Sequence, residues 1–178
     1  PDRLVLAGDS AGAQICSQVA AAITDGAYTR QLGIAPAVQA AQLRAVVLYC
    51  GFYDMRTFID RGRAAPVPIL RWGTRTMVRA YTGRAAVDSD DIRLMSVIDH
   101  ATDRFPPAFI SGGNGDPLTV SQSRPFSEKL SGLGVPVVTH FFDDGAQPPL
   151  PHEYQFDLDR EEGRGALVAM LEFLRTHT

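Results

Sequence analysis

Short, unbroken apolar runs alternate along this chain with stretches whose apolar residues recur at helical spacing. Leu4-Val5-Leu6-Ala7, within Arg3–Ala7, has strand length and stops at Gly8, so it reads as a buried strand. Behind it Ile15, Val19 and Ile23 fall at every fourth position, predicting an amphipathic helix that Gly26 can end. Leu43–Tyr49 (LRAVVLY) is a second buried-type strand, closed by Gly51. Residues 56–104 carry no strand signal; they hold helix-like pieces, including Ile69–Tyr81, and an aspartate-rich loop around Asp88–Asp91. Pro107–Ser111 gives a third strand, followed by the turn-rich GGNGDP, and Phe126, Leu130 and Leu133 give the next helix its apolar face. Val135–Phe142 (VPVVTHFF) is a fourth strand before a proline-rich loop, and Leu167, Leu171 and Leu174 mark a last helix.

Strands alternating with helices predict an α/β fold with a mostly parallel sheet and flanking helices. A chain of 178 residues suits one domain with a real core. Its net charge of -3 and scattered arginines leave no footprint for nucleic acid. No apolar run approaches the roughly 18 residues of a membrane span. Cys16 and Cys50 are not in metal-ligand spacing and both lie in apolar segments, so they are expected as small buried thiols rather than a disulfide. That fits a reducing compartment, and a cytoplasmic location is the expectation.

In parallel sheets the reactive groups belong in loops at the carboxyl ends of strands. There GDSAG, residues 8–12, places one serine between two glycines at a strand-to-helix bend, the pattern of a nucleophile elbow. Gly8 and Gly12 let strand and helix pass closely around Ser10. The helix beginning behind Ser10 turns its free N–H groups toward any oxyanion formed there. Against this stands a plain helix cap after a buried strand, which the order strand, elbow, helix disfavours.

A serine hydroxyl needs a base within hydrogen-bond reach, itself oriented by an acid. His177 adjoins the terminal residue, His140 lies inside the fourth strand, and His100 falls in a polar stretch expected to be solvated. His152, in the loop between the last strand and last helix, is the expected base. Asp116, in GNGDPL after the third strand, is the expected acid; Asp143, Asp144 and Asp54 are its rivals. The order Ser…Asp…His is that of α/β-hydrolases.

GDSAG opening a helix, GNGDPL after a strand and PHEYQFDLD before a terminal helix together resemble the hormone-sensitive-lipase group of α/β-hydrolases, which includes bacterial carboxylesterases. The resemblance runs over essentially the whole chain. It implies a partial α/β-hydrolase fold, with residues 56–104 as a helical cap-like insertion, and hydrolysis of small-molecule carboxylic esters without cofactor or metal. Carried over, Ser10 is the nucleophile, His152 the base and Asp116 the orienting acid, with the Ala11 backbone N–H as an oxyanion donor. Two departures stand out: Ala13 replaces the family's further glycine, and the family's upstream His-Gly-Gly motif is absent. With a strand reached within three residues of Pro1, residues 1–178 are expected to be the C-terminal part of a hydrolase domain. Its first strand would then present an edge open to self-association or to a missing N-terminal segment. A non-catalytic fragment binding through that edge, or the same triad used for amide hydrolysis or acyl transfer, remain open at this point. Arg71, Arg75 and Arg79 are expected on a solvated helix face, while Trp72, Met77 and Tyr81 are candidates for an acyl-pocket wall or ordinary packing.

Overall fold

The computed structural model describes residues 2–83 and 90–178; Asp88 of the aspartate-rich loop lies outside them. Four parallel strands stand in sequence order, β1 (Leu4–Asp9), β2 (Leu43–Tyr49), β3 (Ala108–Gly112) and β4 (Val137–Phe141). Between and after them run α1 (Ala11–Thr24), α2 (Gly26–Leu32), α3 (Met55–Ala64), α4 (Pro68–Thr82), α5 (Asp90–Met95), α6 (Arg124–Gly132) and α7 (Glu161–His177).

The continuous apolar character of β2 and β3 has a simple cause: both faces of the sheet are covered. Val46, Leu48, Ala108 and Ile110 point to one face, where α1 and α6 supply Ala13, Ala20, Ala21, Phe126 and Leu130. Ala45, Val47, Tyr49 and Phe109 point to the other, against Phe173 of α7. Side-chain alternation therefore divides one apolar run between two cores.

β1 departs from the expectation of a buried strand. It pairs with β2 alone among the described residues, and Val5 is 36% exposed. The α1 helix is where its periodicity put it, but the sheet takes a different face. Ala13, Ser17, Ala20 and Ala21 are buried, whereas Ile15 and Val19 are 48% and 40% exposed. Small residues let the helix axis approach the sheet, and Ile15 and Val19 are left facing outward, while Ile23, the last of the expected stripe, packs against the core. In α7 Gly163, Ala166 and Phe173 are buried and Leu174 packs against the Phe173 core, whereas Leu167 and Leu171 are exposed. Gly26 does not simply close α1. Asp25 adopts an extended backbone and accepts hydrogen bonds from Ala27 and Tyr28 N–H, capping a second helix that starts at Gly26.

Helices α3, α4 and α5 occupy the stretch without strand signals and build their own cluster from Phe52, Met55, Ile59, Val78, Ile92 and Met95. Asp90 and Asp91 stand in the first turn of α5, the favourable end of its dipole. Arg71, Arg75 and Arg79 are exposed, as expected of a solvated face. Cys50 is buried, Cys16 half-buried, and both are free thiols. No helix among the described residues is long and apolar enough to cross a membrane.

Phe126 is fully buried and stacks on Tyr53 with ring centroids 4.4 Å apart. Phe126→Ala is expected to cost about 3–5 kcal/mol in urea unfolding, whereas Val19→Ala should stay within about 0.5 kcal/mol despite its place in the apolar stripe.

Candidate active site

Parallel register sets the strands' carboxyl ends along one rim: Asp9 lies opposite Tyr49, Tyr49 opposite Ser111, and Gly112 opposite Phe141. Ser10, Cys50 and the loops after β3 and β4 therefore emerge side by side. Ser10 takes φ 50° and ψ -119°, a left-handed backbone that costs a non-glycine residue about 1–3 kcal/mol. Its N–H donates to the Tyr49 carbonyl at 2.8 Å, which ties the bend to β2. A Cβ on Gly8 would lie 2.5 Å from the carbonyl carbon and oxygen of Gly12, so only glycine fits there. At Gly12 a Cβ would meet nothing closer than the Asp9 carboxylate at 4.0 Å. The pair is thus unequal: Gly8 needs the space, and Gly12 contributes the backbone it faces. Ala11 opens α1, where N–H groups have no partner within the helix.

His152 reaches this bend from the loop between β4 and α7. Its Nε2 lies 3.1 Å from Ser10 Oγ, and its Nδ1 lies 2.7 Å from Asp116 Oδ2. Asp116 is only 4% exposed, and its other oxygen accepts the Leu118 N–H at 2.9 Å. The structure brings the three expected side chains into one hydrogen-bonded line. The rivals are engaged elsewhere. Asp54 caps α3 by accepting from Arg56 and Thr57 N–H, Asp144 pairs with Arg124 at 2.8 Å, and Asp143 is exposed.

His100 overturns the expectation of a solvated side chain: it is buried, stacks on Tyr28 at 4.0 Å, and holds the Arg93 carbonyl through Nε2. Phe109 and Phe142 flank His140, and desolvation lowers its pKa. His177 bonds the Phe173 carbonyl through Nδ1.

Several residues that hold the site had no signal in the sequence. Asn114 donates to the Asp143 and Ala146 carbonyls at 3.0 and 2.8 Å and accepts the Leu150 N–H at 2.8 Å, so one side chain joins the loop of Asp116 to that of His152. A Cβ on Gly113 would stand 2.3 Å from the Leu150 carbonyl oxygen, which shows how closely those loops pass. Beneath His152, Tyr154 Oη and Gln155 Nε2 both reach the Ser111 hydroxyl, at 2.9 and 3.0 Å. Glu153 has φ 63°; its carboxylate lies 3.7 Å from His152 Nε2 and its N–H donates to Cys50 Sγ.

Cys50 lies just behind the line. Its Sγ, an Asp116 oxygen and a His152 nitrogen all fall within 4.8 Å of one another, a set that could in principle hold a metal. Burial pushes the Cys50 thiol up to about 11, which keeps it protonated at neutral pH. Asp116 and His152 meanwhile bond directly to each other.

A family model described as alpha/beta hydrolase fold matches residues 1–147, and the chain belongs to that family. No curated protein sequence matches it. Among solved structures it is similar to an inhibited esterase B from Lactobacillus rhamnosis, with TM-score 0.74 and 19% identity over 99% of this chain and 53% of that one. An esterase from the bacterial hormone-sensitive lipase family is similar at TM-score 0.64 and 24% identity, covering 99% of this chain and 54% of that one. An acetyl ester-xyloside bifunctional hydrolase from Caldicellulosiruptor lactoaceticus follows at TM-score 0.64 and 17% identity, covering 96% and 55%. The chain spans about half the length of each. The resemblance read from GDSAG, GNGDPL and PHEYQFDLD is borne out in family and fold.

Two outcomes follow. Asn114→Ala removes three loop-to-loop hydrogen bonds, so stability should fall by about 1–3 kcal/mol and the Leu150 amide should exchange faster by mass spectrometry. The Cys50 thiol binds its proton more tightly when folded. Its contribution is complete below pH 9 and is lost as pH rises through about 11. Cys50→Ala should flatten the fall in unfolding free energy across that window, read by urea titration at stepped pH.

Proposed function

We propose that this chain is a serine hydrolase acting on small carboxylic esters through an acyl-enzyme. The observation that carries the reading is the line from Ser10 Oγ through the His152 ring to Asp116, with spacings of 3.1 and 2.7 Å, at a strained strand-to-helix turn. Ser10 Oγ attacks the ester carbonyl carbon while His152 Nε2 takes its proton. Asp116, accepting from Nδ1–H, holds the ring in that tautomer and stabilises the imidazolium. The Ala11 N–H, at the positive end of α1, donates to the oxygen that gains charge. Collapse expels the alcohol, which receives the proton from Nε2. A water then gives its proton to Nε2 as it attacks the acyl carbon, and on collapse Nε2 returns that proton to Ser10 Oγ, releasing the acid and restoring the free serine.

The half-length match and the half-exposed β1 support taking the chain as the C-terminal part of an α/β-hydrolase domain, with α3–α5 as its cap. In that reading, strands and a His-Gly-Gly turn ahead of Pro1 cover β1 and add oxyanion donors. The neighbours' descriptions as esterases favour ester over amide hydrolysis or acyl transfer.

A fluorophosphonate adduct on Ser10, found by peptide mass spectrometry, is the expected result. Ser10→Ala and His152→Ala should abolish it, and Asp116→Asn should slow turnover of a p-nitrophenyl ester roughly 10⁴-fold. No adduct on a chain that circular dichroism shows to be folded would favour a fragment that only binds a partner through β1. Faster turnover of matched amides than of esters would move the reaction class.

A further inference from the structure

An apolar cavity of about 300 Å³ begins at Ala11, the residue after Ser10, and runs between Phe52, Met55, Met95 and the α4 residues Met77, Ala80 and Tyr81. A second cavity, of about 430 Å³, lies between α3 and α4 beside Phe58, Ile69, Gly73 and Leu118. Met77 lines both. The helix explains the arrangement: Ile69, Gly73, Met77 and Tyr81 recur every fourth residue, so one face of α4 runs along both cavities. Met77 sits at the junction. The Phe52 and Phe58 rings, 4.8 Å apart, stand on opposite sides of the same boundary. The neighbouring Val78 is 1% exposed and fixes α4 in its own cluster, so the wall is anchored while the Met77 side chain is not.

Resting on the ester-hydrolase reading, we propose that Met77 sets the acyl-chain length this site accepts. An acyl group attached at Ser10 enters the first cavity, which offers carbon surface and almost no polar atoms, and its far end meets the Met77 thioether. Methionine is unbranched and adaptable, so it closes the passage without sealing it. Removing the side chain joins the two spaces. Gly73 gives an independent handle, because a Cβ there meets nothing within 4 Å and a larger residue fills the second cavity without touching the first.

The test measures kcat/KM for p-nitrophenyl esters from acetate to palmitate, with wild type, Met77→Ala, Met77→Trp and the double variant Met77→Ala/Gly73→Leu. Circular dichroism checks that each folds. In parallel, calorimetry measures Kd for the matching straight-chain acids in a Ser10→Ala background. With wild type, kcat/KM should rise roughly fourfold per added methylene and then level at a break. Met77→Ala should move the break to longer chains, Met77→Trp to shorter ones, and Gly73→Leu should cancel the gain of Met77→Ala. Ester turnover with a break that none of these substitutions moves overturns the proposal and leaves the hydrolase reading standing. Acid binding whose length limit shifts with residue 77, without turnover of any ester, overturns the reading of this chain as an active hydrolase by itself and supports the role of Met77. Folded protein that binds no acid and shows no length dependence overturns the proposal as well.

Discussion

Gly8 lies against the backbone of Gly12 at a distance where a single added carbon would collide with a carbonyl group, and the rest of the site is arranged around that contact. It lets β1 turn into α1 within one residue, which forces Ser10 into a left-handed backbone and lifts its hydroxyl above the rim. The bond from Ser10 N–H to Tyr49 O transmits the position to β2, and the parallel register carries it on to β3 and β4. The strain at Ser10 persists because the sheet on one side and the buried small residues of α1 on the other leave the bend no room to relax.

Much of this was legible from residue order. β2 and β3 are apolar runs buried on two faces, and the glycines of GDSAG and GNGDPL mark turns, so the strand positions could be read, as could the placing of Ser10, Asp116 and His152 within hydrogen-bond reach of one another. What could not be read was which face of a helix the sheet would take. In α1 the apolar stripe of Ile15 and Val19 carries the strongest hydrophobic signal, yet the sheet takes the alanines because close packing rewards small side chains. His100 misled in the same way: its polar neighbours in sequence say nothing of Tyr28, which lies against its ring. Asn114 looks like a turn residue, and its three partners come from a loop some thirty residues further along. Burial and long-range bonding are set by the assembled fold, so a single sequence shows them only where they leave a local pattern.

The His152 loop illustrates how such bonding replaces regular structure. Between β4 and α7 there is little secondary structure to hold an imidazole in place. Asn114 grips the loop from one side, while Tyr154 and Gln155 reach the Ser111 hydroxyl on β3. Ser111 is itself fully buried, so the loop is pinned to the interior of the sheet. Both ring nitrogens of His152 then have neighbours within hydrogen-bond distance, Asp116 on one and Ser10 on the other.

The helices α3, α4 and α5 bury an apolar cluster of their own, and α5 is tied to α1 and α2 by hydrogen bonds from Gln14 to the Met95 carbonyl and from Gln18 and Tyr28 to the Leu94 carbonyl. Its apolar interior is separate from the sheet's cores, while these polar bonds couple it to the helices that cover the sheet. Substitutions inside the α3–α5 cluster therefore disturb a core separate from the one that packs behind Ser10, and the α5 bonds are where such a disturbance reaches the helices of the sheet.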